Sequence, residues 1–184
     1  MKIKNNNIVS ITDDFLAEDD FVVLRDTIIG DMAWYFSTTK VDPDNEEQST
    51  SPGQFIHTIY DKNVPNSPIY DSFVPMLKQL EVDVLIRIKM NLNPRLPEPF
   101  YSLFHIDFNV MEKPVTLCKT SIFYINTNNG YTEFEDGTKA ESVANRLVSF
   151  QTNTKHRGVT QTDEQTRIVI NFNYLKLFEL EIER

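Results

Sequence analysis

The spacing of apolar residues changes near residue 82, and this change constrains the fold more than any other feature of the sequence. Before it, Phe21, Leu24 and Ile28 repeat at the spacing of one helical face. A second helix is predicted after Asp71 or Ser72 from four apolar residues at i, i+3, i+4 and i+7, namely Phe73, Met76, Leu77 and Leu80. After residue 82, apolar and polar residues alternate, which is the period of a strand. Strands are predicted over residues 84–93, 103–110, 117–126, 146–150 and 166–174.

The predicted strands follow one another without helices between them, which favours an antiparallel sandwich or barrel. Residues 8–11 are predicted to form a short additional strand, and Thr12, Asp13 and Asp14 offer N-cap chemistry for the first helix. The predicted fold class is therefore mainly β, with N-terminal helices packed on a jelly-roll-like core. At 184 residues the chain has room for one domain. Residues 1–81 are expected to supply helical support and a cleft wall, and residues 82–175 the β core.

Charge and composition exclude several classes of function. The chain has 18 Lys and Arg against 27 Asp and Glu, a net charge of -9, which argues against a nucleic-acid or anionic-lipid partner. Its single cysteine, Cys118, excludes an intramolecular disulfide framework and is expected to be a packed core thiol. No apolar run approaches the length of a membrane span, and the first residues lack the apolar stretch of a signal peptide. We therefore expect a cytoplasmic protein with no membrane partner.

Three histidines are available for catalysis or metal binding, His57, His105 and His156. His105 and Asp107 are two residues apart on a predicted strand, so both side chains project from one face. An imidazole beside a carboxylate supplies two ligands of the 2-His-1-carboxylate triad that holds iron(II) and leaves positions open for other ligands. His156, on a separate segment, is the natural third ligand. The alternative is a hydrogen-bonded His105–Asp107 pair on a solvated face of the sheet.

Arg167 opens the last alternating segment and is a candidate carboxylate-binding residue. A turn centred near Asp163 would place His156 opposite Ile170, about 10 Å from Arg167 along the paired strands. A small dicarboxylate could bridge that gap, with one end on a metal and the other on the guanidinium fork. The alternative is a surface arginine paired with Asp163 or Glu164. The residues expected to share its face of the strand are Val169, Asn171 and Asn173.

Four motifs in order resemble the 2-oxoglutarate- and iron(II)-dependent oxygenase superfamily. They are His105-x-Asp107, Ser-Ile-Phe-Tyr-Ile-Asn over residues 121–126, Lys-His-Arg-Gly around His156, and Thr-Arg-Ile-Val-Ile-Asn-Phe over residues 166–172. The prolyl 4-hydroxylase-like branch, including its phage-encoded relatives, is the most similar. The resemblance covers roughly residues 82–174, about half of the chain.

The resemblance implies a double-stranded β-helix core and a set of site residues. His105, Asp107 and His156 would bind Fe(II), and Arg167 would bind the distal carboxylate of 2-oxoglutarate. Tyr124 matches a strand tyrosine whose hydroxyl donates to that carboxylate, with an ordinary core tyrosine as the alternative. The family often has a tyrosine near the co-substrate before the H-x-D motif, where this chain has Asn91, whose amide could replace it as a donor.

The implied reaction uses 2-oxoglutarate and O₂ to hydroxylate an unactivated C–H bond, with release of succinate and CO₂. The family branch suggests a prolyl or other peptidyl substrate, and a small molecule is the alternative. Arg87 and Lys89 share a face with Asn91 and would either add positive potential to the site or lie on a solvated face. His57 is expected outside the β core, as part of a substrate cleft or as a structural histidine.

Two other functions stay open at this point. The first is a non-catalytic jelly-roll module that binds a ligand or forms part of a virion. The second is a metal-dependent dioxygenase of the cupin type that does not use the keto acid.

Overall fold

The structure is a computed structural model that describes residues 9–30, 32–38, 51–107 and 118–177. Its helices are α1 (Glu18–Ile29) and α2 (Val74–Gln79), the latter preceded by a 3-10 turn over Tyr70–Phe73. The strands in the first half are β1 (Ser10–Thr12), β2 (Tyr35–Ser37), β3 (Gln54–Asp61), β4 (Val64–Pro65) and β5 (Val84–Pro94). Those in the second half are β6 (Cys118–Tyr124), β7 (Tyr131–Phe134), β8 (Lys139–Glu141), β9 (Arg146–Gln151), β10 (His156–Val159) and β11 (Thr166–Leu175).

The described strands form two antiparallel sheets. The larger sheet has eight strands, seven of them in the order β1-β9-β6-β11-β5-β3-β2, with β4 added beside β3. The smaller sheet has the order β10-β7-β8. The two sheets and the two helices give a mainly β architecture that is consistent with a jelly-roll-like oxygenase fold, as the sequence predicts.

Two separate cores follow from the period-two alternation of the large sheet. One face of β5 and β11, including Ile88, Met90 and Ile170, is buried against the helices together with Phe21 and Phe73. The opposite face of the large sheet packs against the small sheet. There a second cluster fills part of the space between the sheets, formed by Ile122, Tyr124, Phe134, Ala140, Val148, Phe150 and Val169.

Phe123 joins helix α1 to the large sheet and is fully buried. Its ring meets those of Phe15 and Phe21 edge to face, with centroid distances of 6.1 and 6.0 Å. We expect Phe123→Ala to lower the free energy of unfolding by about 3–5 kcal/mol, because it removes buried area and leaves a cavity. Urea denaturation measures the change as a lower midpoint. Val23→Ala on the exposed side of α1 is the control and is expected to change stability by less than about 0.5 kcal/mol.

The helical segments agree with prediction in their location but not at every end. Phe73 lies in the 3-10 turn before α2, and Leu80 is the C-cap of that helix. Helix α1 differs at its start. Its buried residues are Phe21, Leu24 and Ile28, as expected. The helix begins at Glu18, however, and its N-cap is Ala17, which makes no side-chain cap hydrogen bond. Asp13 is instead paired with Arg146 of β9, so the predicted N-cap is wrong. The predicted short strand is observed as β1, shifted toward the C-terminus, and its predicted first residue lies outside the described residues.

The first 81 residues are predicted to be mainly helical, but they also contribute strands to the large sheet. Strand β3 pairs with β5 along five residues, and β1 pairs with β9. The helical support predicted for residues 1–81 is therefore only part of that segment, since four described strands lie there as well. His57 lies on β3 and so belongs to the large sheet, contrary to the prediction that placed it outside the β core. Neither helix in the described ranges combines the length and apolar character needed to cross a membrane.

The predicted strand over residues 103–110 is not regular. Two isolated bridges, Tyr101 with Val159 and His105 with His156, attach this segment to β10. Their registers differ by one residue, so a continuous ladder is interrupted between them. Residues 108–110 lie outside the described residues.

Candidate metal centre

A single backbone bridge places His105 beside His156. Each residue donates its N–H to the carbonyl of the other, at 2.9 and 3.0 Å. Directly paired residues on antiparallel strands project their side chains to the same face, so the two rings lie close together, with centroids 4.7 Å apart. The structure thereby brings together two histidines that are 51 positions apart in the sequence.

Asp107 completes a cluster of three potential ligands. Its Oδ1 atom lies 3.5 Å from Nε2 of His105 and 3.7 Å from Nε2 of His156. One ligand atom from each residue lies within 4.8 Å of the others. Two atoms that each contact one ion at about 2.1 Å are at most about 4.2 Å apart, so the two separations that involve Asp107 fit a common ion.

Both imidazoles present the same nitrogen to the cluster. Nδ1 of His105 is 3.0 Å from the carbonyl oxygen of Leu103, and Nδ1 of His156 is 3.0 Å from that of Thr154. A carbonyl only accepts, so each Nδ1 carries the proton and donates it, which leaves the Nε2 lone pairs free for a metal. The backbone therefore fixes the tautomer that a metal ligand needs.

The charges in the cluster favour an ionised carboxylate. Burial would raise the pKa of Asp107, but its hydrogen bond with His105 and the charges of His156, His105 and Arg87 hold that pKa well below its usual range. Burial lowers the pKa of His156. Burial would also lower the pKa of His105, but the hydrogen bond and charge of Asp107 outweigh it and raise the pKa. A carboxylate and two imidazoles form the 2-His-1-carboxylate donor set, so these residues fit a non-haem iron(II) ion.

Arg167 lies in the same cavity and is 4% exposed. Its Nε donates to Oγ of Ser142 at 2.8 Å, and its Nη2 donates to Oγ1 of Thr132 at 3.4 Å. Gly130 packs against its stem, since a Cβ there would lie 2.8 Å from Cδ of Arg167. The surface ion pair with Asp163 or Glu164 that was the alternative is not formed by the described residues.

The route by which Arg167 reaches the cavity differs from the prediction. Strand β10 pairs with β7 in the small sheet, while β11 pairs with β5 and β6 in the large sheet. The predicted β10–β11 hairpin, with His156 opposite Ile170, is therefore wrong. Residues 160–165 instead carry the chain from one sheet to the other, and His156 and Arg167 meet across the space between the sheets.

The other sequence candidates have mixed positions. Asn91 lines the cavity, and its buried Oδ1 makes no hydrogen bond within the described residues. Tyr124 is fully buried, and its hydroxyl donates to Oγ1 of Thr132 at 2.8 Å. The guanidinium of Arg167 lies 5.5 Å from the centre of the Tyr124 ring. Tyr124 is thus placed beside Arg167 rather than on the cavity wall.

His57 and Cys118 take structural positions. Nδ1 of His57 is 2.6 Å from the carbonyl of Ala33, and its Nε2 is 2.8 Å from Oγ of Ser67. Its partner across the strands is Met90, on the helix-side face of β5, so it points away from the metal cluster. Cys118 is buried in the core and forms no disulfide within the described residues, as expected.

The cavity between the sheets has a volume of about 180 Å³. The cluster of His105, Asp107 and His156 forms part of its wall, together with Arg167. Polar residues of β5 and β11 line the large-sheet side, namely Arg87, Lys89, Asn91, Asn93 and Asn171.

No protein-family model matches the sequence, and the search of curated proteins finds no match. Solved structures do match. The viral collagen prolyl hydroxylase from Paramecium bursaria Chlorella virus-1, in complex with 2-oxoglutarate, is similar with a TM-score of 0.61 at 12% identity, over 95% of this chain and 100% of that one. A Pseudomonas putida prolyl-4-hydroxylase has a TM-score of 0.60 at 16% identity, over 93% of this chain and 94% of that one.

A third similar structure is the prolyl hydroxylase of Trichoplax adhaerens in complex with a peptide fragment of the hypoxia-inducible factor oxygen degradation domain. Its TM-score is 0.61 at 13% identity, over 93% of this chain and 84% of that one. The chain has the fold of the 2-oxoglutarate- and iron(II)-dependent oxygenases. The resemblance in the sequence, including that to the prolyl 4-hydroxylase-like branch, is confirmed at the level of the fold.

In this oxygenase fold, Asn173 supports the cluster from β11 and was not singled out from the sequence. It is fully buried, and its Nδ2 donates to Oδ2 of Asp107 at 3.3 Å and to Oγ1 of Thr120 at 3.1 Å. Its Oδ1 accepts from Nε of Arg87 at 3.1 Å. The predicted face of β11 contained the clue, since an asparagine on a strand rich in apolar residues needs buried partners. Thr132 and Ser142, which hold Arg167, carry no comparable pattern in the sequence.

We expect Asn173→Ala to weaken Fe(II) binding about 10- to 100-fold, because it removes the donor that orients Asp107. Anaerobic titration of Fe(II) against a competing chelator measures this affinity. Asn129→Ala is the matched control, because Asn129 lies on an exposed loop with Thr162 as its partner. Equal affinities of the two variants would show that Asp107 does not depend on this hydrogen bond.

Proposed function

We propose that this chain is an Fe(II)- and 2-oxoglutarate-dependent dioxygenase that hydroxylates an unactivated C–H bond. The observation that carries the proposal is the shared cavity of the His105, Asp107 and His156 cluster and the buried guanidinium of Arg167. Two histidines and a carboxylate alone would also suit a metal enzyme without a keto acid, and a buried arginine alone would suit any anionic ligand. Together, inside an oxygenase fold, they provide a site for a metal and an anchor for a dicarboxylate.

In the proposed site, His105 and His156 bind the metal through Nε2 and Asp107 through Oδ1. When bound, iron with 2-oxoglutarate and O₂ supplies the oxidation of the C–H bond, with release of succinate and CO₂. The chain directs Nδ1 of each ring at the carbonyl of Leu103 or Thr154, so Nε2 is the nitrogen that each imidazole would offer to the metal. The low pKa of Asp107 keeps its carboxylate charged for the metal.

Arg167 binds the distal carboxylate of 2-oxoglutarate in this proposal. Its Nε and Nη2 are held by Ser142 and Thr132, so the guanidinium is oriented before the co-substrate arrives. Tyr124 acts through Arg167 as a positioning residue, since its hydroxyl shares Thr132 with the guanidinium. Asn91 lines the same cavity, and its Nδ2 amide would donate to an oxygen of the co-substrate.

We further propose that the chain forms one domain over residues 1–184 and that its two sheets are those of a double-stranded β-helix. The similar structures are named prolyl hydroxylases, so the first substrate class to test is a prolyl or other peptidyl side chain. A small-molecule substrate is the second class. Binding of a peptide fragment by the Trichoplax protein supports including peptides in that test.

Anaerobic addition of Fe(II) and 2-oxoglutarate tests the proposal directly. We expect a visible charge-transfer band that needs both components, followed by release of succinate when O₂ is admitted. A non-catalytic jelly-roll module would give neither. Succinate release stimulated by one compound in a set of peptides, amino acids and nucleotides would identify the substrate class.

A further inference from the structure

The cavity-facing side of β5 carries two cations in a protein whose net charge is -9. Arg87 and Lys89 alternate with Ile88 and Met90, which are buried in the helix-side core, so the two cationic side chains project toward the cavity. Building on the proposed function, we propose that the substrate carries a carboxylate that binds Lys89, with Arg87 beside it.

Lys89 and Arg167 lie at different levels of the paired strands β5 and β11. Arg167 is opposite Asn93, whereas Lys89 is opposite Asn171, four residues further along β11. Four residues span about 13 Å at 3.3 Å per residue. The two carboxyl carbons of 2-oxoglutarate are four C–C bonds of about 1.5 Å apart, or less than about 6 Å. A 2-oxoglutarate molecule held by Arg167 therefore leaves the Lys89 end of the cavity without its distal carboxylate.

The electrostatic neighbours of the two cations also differ. The charge of Lys89 acts on Arg87, Asp107 and His105. Arg167 interacts instead with Tyr124. Lys89 thus belongs to the part of the cavity beside the metal ligands, where a substrate C–H bond must be held for oxidation.

Lys89 lacks an anionic partner among the described residues. Its Nζ makes no hydrogen bond or ion pair there, while Arg87 donates its Nε proton to Asn173. Asp107, whose charge acts on Lys89, is already engaged through Oδ1 with the two histidines and through Oδ2 with Asn173. Burial, followed by repulsion from Arg87, lowers the pKa of Lys89, and the opposing charge of Asp107 does not offset them, so holding this charge is costly. A carboxylate beside Nζ would remove that cost.

The charge balance of the loaded site points the same way. Arg87, Lys89 and Arg167 contribute three positive charges to the cavity, and Asp107 contributes one negative charge. The charges of ferrous iron and doubly ionised 2-oxoglutarate cancel, so two positive charges remain. A partly enclosed cavity with two excess positive charges attracts anions, even though the protein as a whole is negatively charged.

An uncharged substrate group would not satisfy this end of the cavity. A proline ring placed against Lys89, Arg87 and Asn171 would remove water from their polar groups without replacing the hydrogen bonds. A substrate that is hydroxylated at this site therefore needs a carboxylate that can contact Lys89. This carboxylate belongs either to a small molecule or to an acidic side chain of a peptide.

Binding to the full chain loaded with Fe(II) and saturating 2-oxoglutarate under anaerobic conditions tests the inference without turnover. The probes are benzoate with benzamide, and a blocked alanine-glutamate-alanine tripeptide with its glutamine counterpart. Calorimetry measures each Kd, while the charge-transfer band reports that 2-oxoglutarate stays bound. We expect at least one acid to bind tenfold or more tightly than its amide, because a charge-assisted hydrogen bond is stronger than a neutral one. Preference for benzoate identifies a small molecule, and preference for the glutamate peptide identifies an acidic peptide.

The variants assign this preference to Lys89. Lys89→Met keeps an unbranched side chain, breaks no hydrogen bond of the described residues and is expected to reduce the preference to less than twofold. Lys89→Arg is expected to retain it. Lys78→Met, on the exposed side of α2, makes the same charge change outside the cavity and is expected to leave the preference unchanged.

The outcomes separate the two levels of inference. No preference in either pair, or a preference that survives Lys89→Met, overturns the carboxylate site even when the band is present. Absence of the band in the unaltered protein overturns the proposed oxygenase function instead.

Discussion

Asp107→Ala is expected to abolish the charge-transfer band that Fe(II) and 2-oxoglutarate produce, and succinate release with it. The substitution removes the only carboxylate of the cluster and leaves the buried imidazole of His156 and the half-buried imidazole of His105 without their shared anion. Because loss of an outer-shell contact already costs about 10- to 100-fold in metal affinity, loss of the ligand itself is expected to cost more than a hundredfold. Anaerobic Fe(II) titration followed in the visible spectrum measures the effect, and His105→Ala is expected to behave in the same way.

The control for this prediction is Asp26→Ala. Asp26 is an exposed carboxylate on α1 that pairs with Arg25, so its loss changes the net charge equally without reaching the cavity. Thermal unfolding of both variants separates metal loss from unfolding. A band of unchanged position and intensity in the folded Asp107→Ala protein would exclude Asp107 as a ligand.

Arg167→Ala is expected to raise the Kd for 2-oxoglutarate about a hundredfold. Two charge-assisted hydrogen bonds of about 1.5 kcal/mol each are lost, and about 1.4 kcal/mol corresponds to a factor of ten. Fe(II) affinity is expected to change much less, because Arg167 contacts none of the three candidate metal ligands through a described hydrogen bond. Titration of the charge-transfer band with 2-oxoglutarate at saturating Fe(II) gives the Kd.

Two further variants make this result specific. Arg95→Ala removes an exposed arginine at the end of β5 and is expected to leave the Kd unchanged. Arg167→Lys keeps the charge but loses the planar fork, and an intermediate Kd is expected. A cupin-type dioxygenase without a keto-acid co-substrate would keep its activity in Arg167→Ala, so retained turnover would support that alternative.

The sequence predicts the local elements of this fold better than their partners. The alternation over residues 84–93 and 166–174 identifies β5 and β11, because each has one face in an apolar core and one in a polar cavity. Strand β3 has neighbours on both sides in the sheet and buried residues on both faces, so its alternation is weak. The predicted pairing of β10 with β11 is wrong because the same turn residues can connect two strands of one hairpin or two strands of different sheets. Only tertiary packing decides between them.

The candidate site is predictable to a similar extent. The H-x-D spacing and the resemblance singled out His105, Asp107, His156 and Arg167, and the structure brings all four to one cavity. Residues that hold those side chains are harder to find. Asn173 contacts Asp107, which lies 66 positions earlier in the sequence, and the sequence pattern does not indicate that these two side chains meet.

The two-faced construction of β5 separates two kinds of evolutionary change. Residues whose side chains face the helices, such as Ile88 and Met90, are buried in the core, so substitutions among them are expected to change stability. Every second position faces the cavity instead, where a change at Lys89 breaks no hydrogen bond of the described residues, whereas Arg87 also holds Asn173. If the proposed activity holds, alternate residues of this one strand are the positions at which ligand preference is changed with the least effect on the fold.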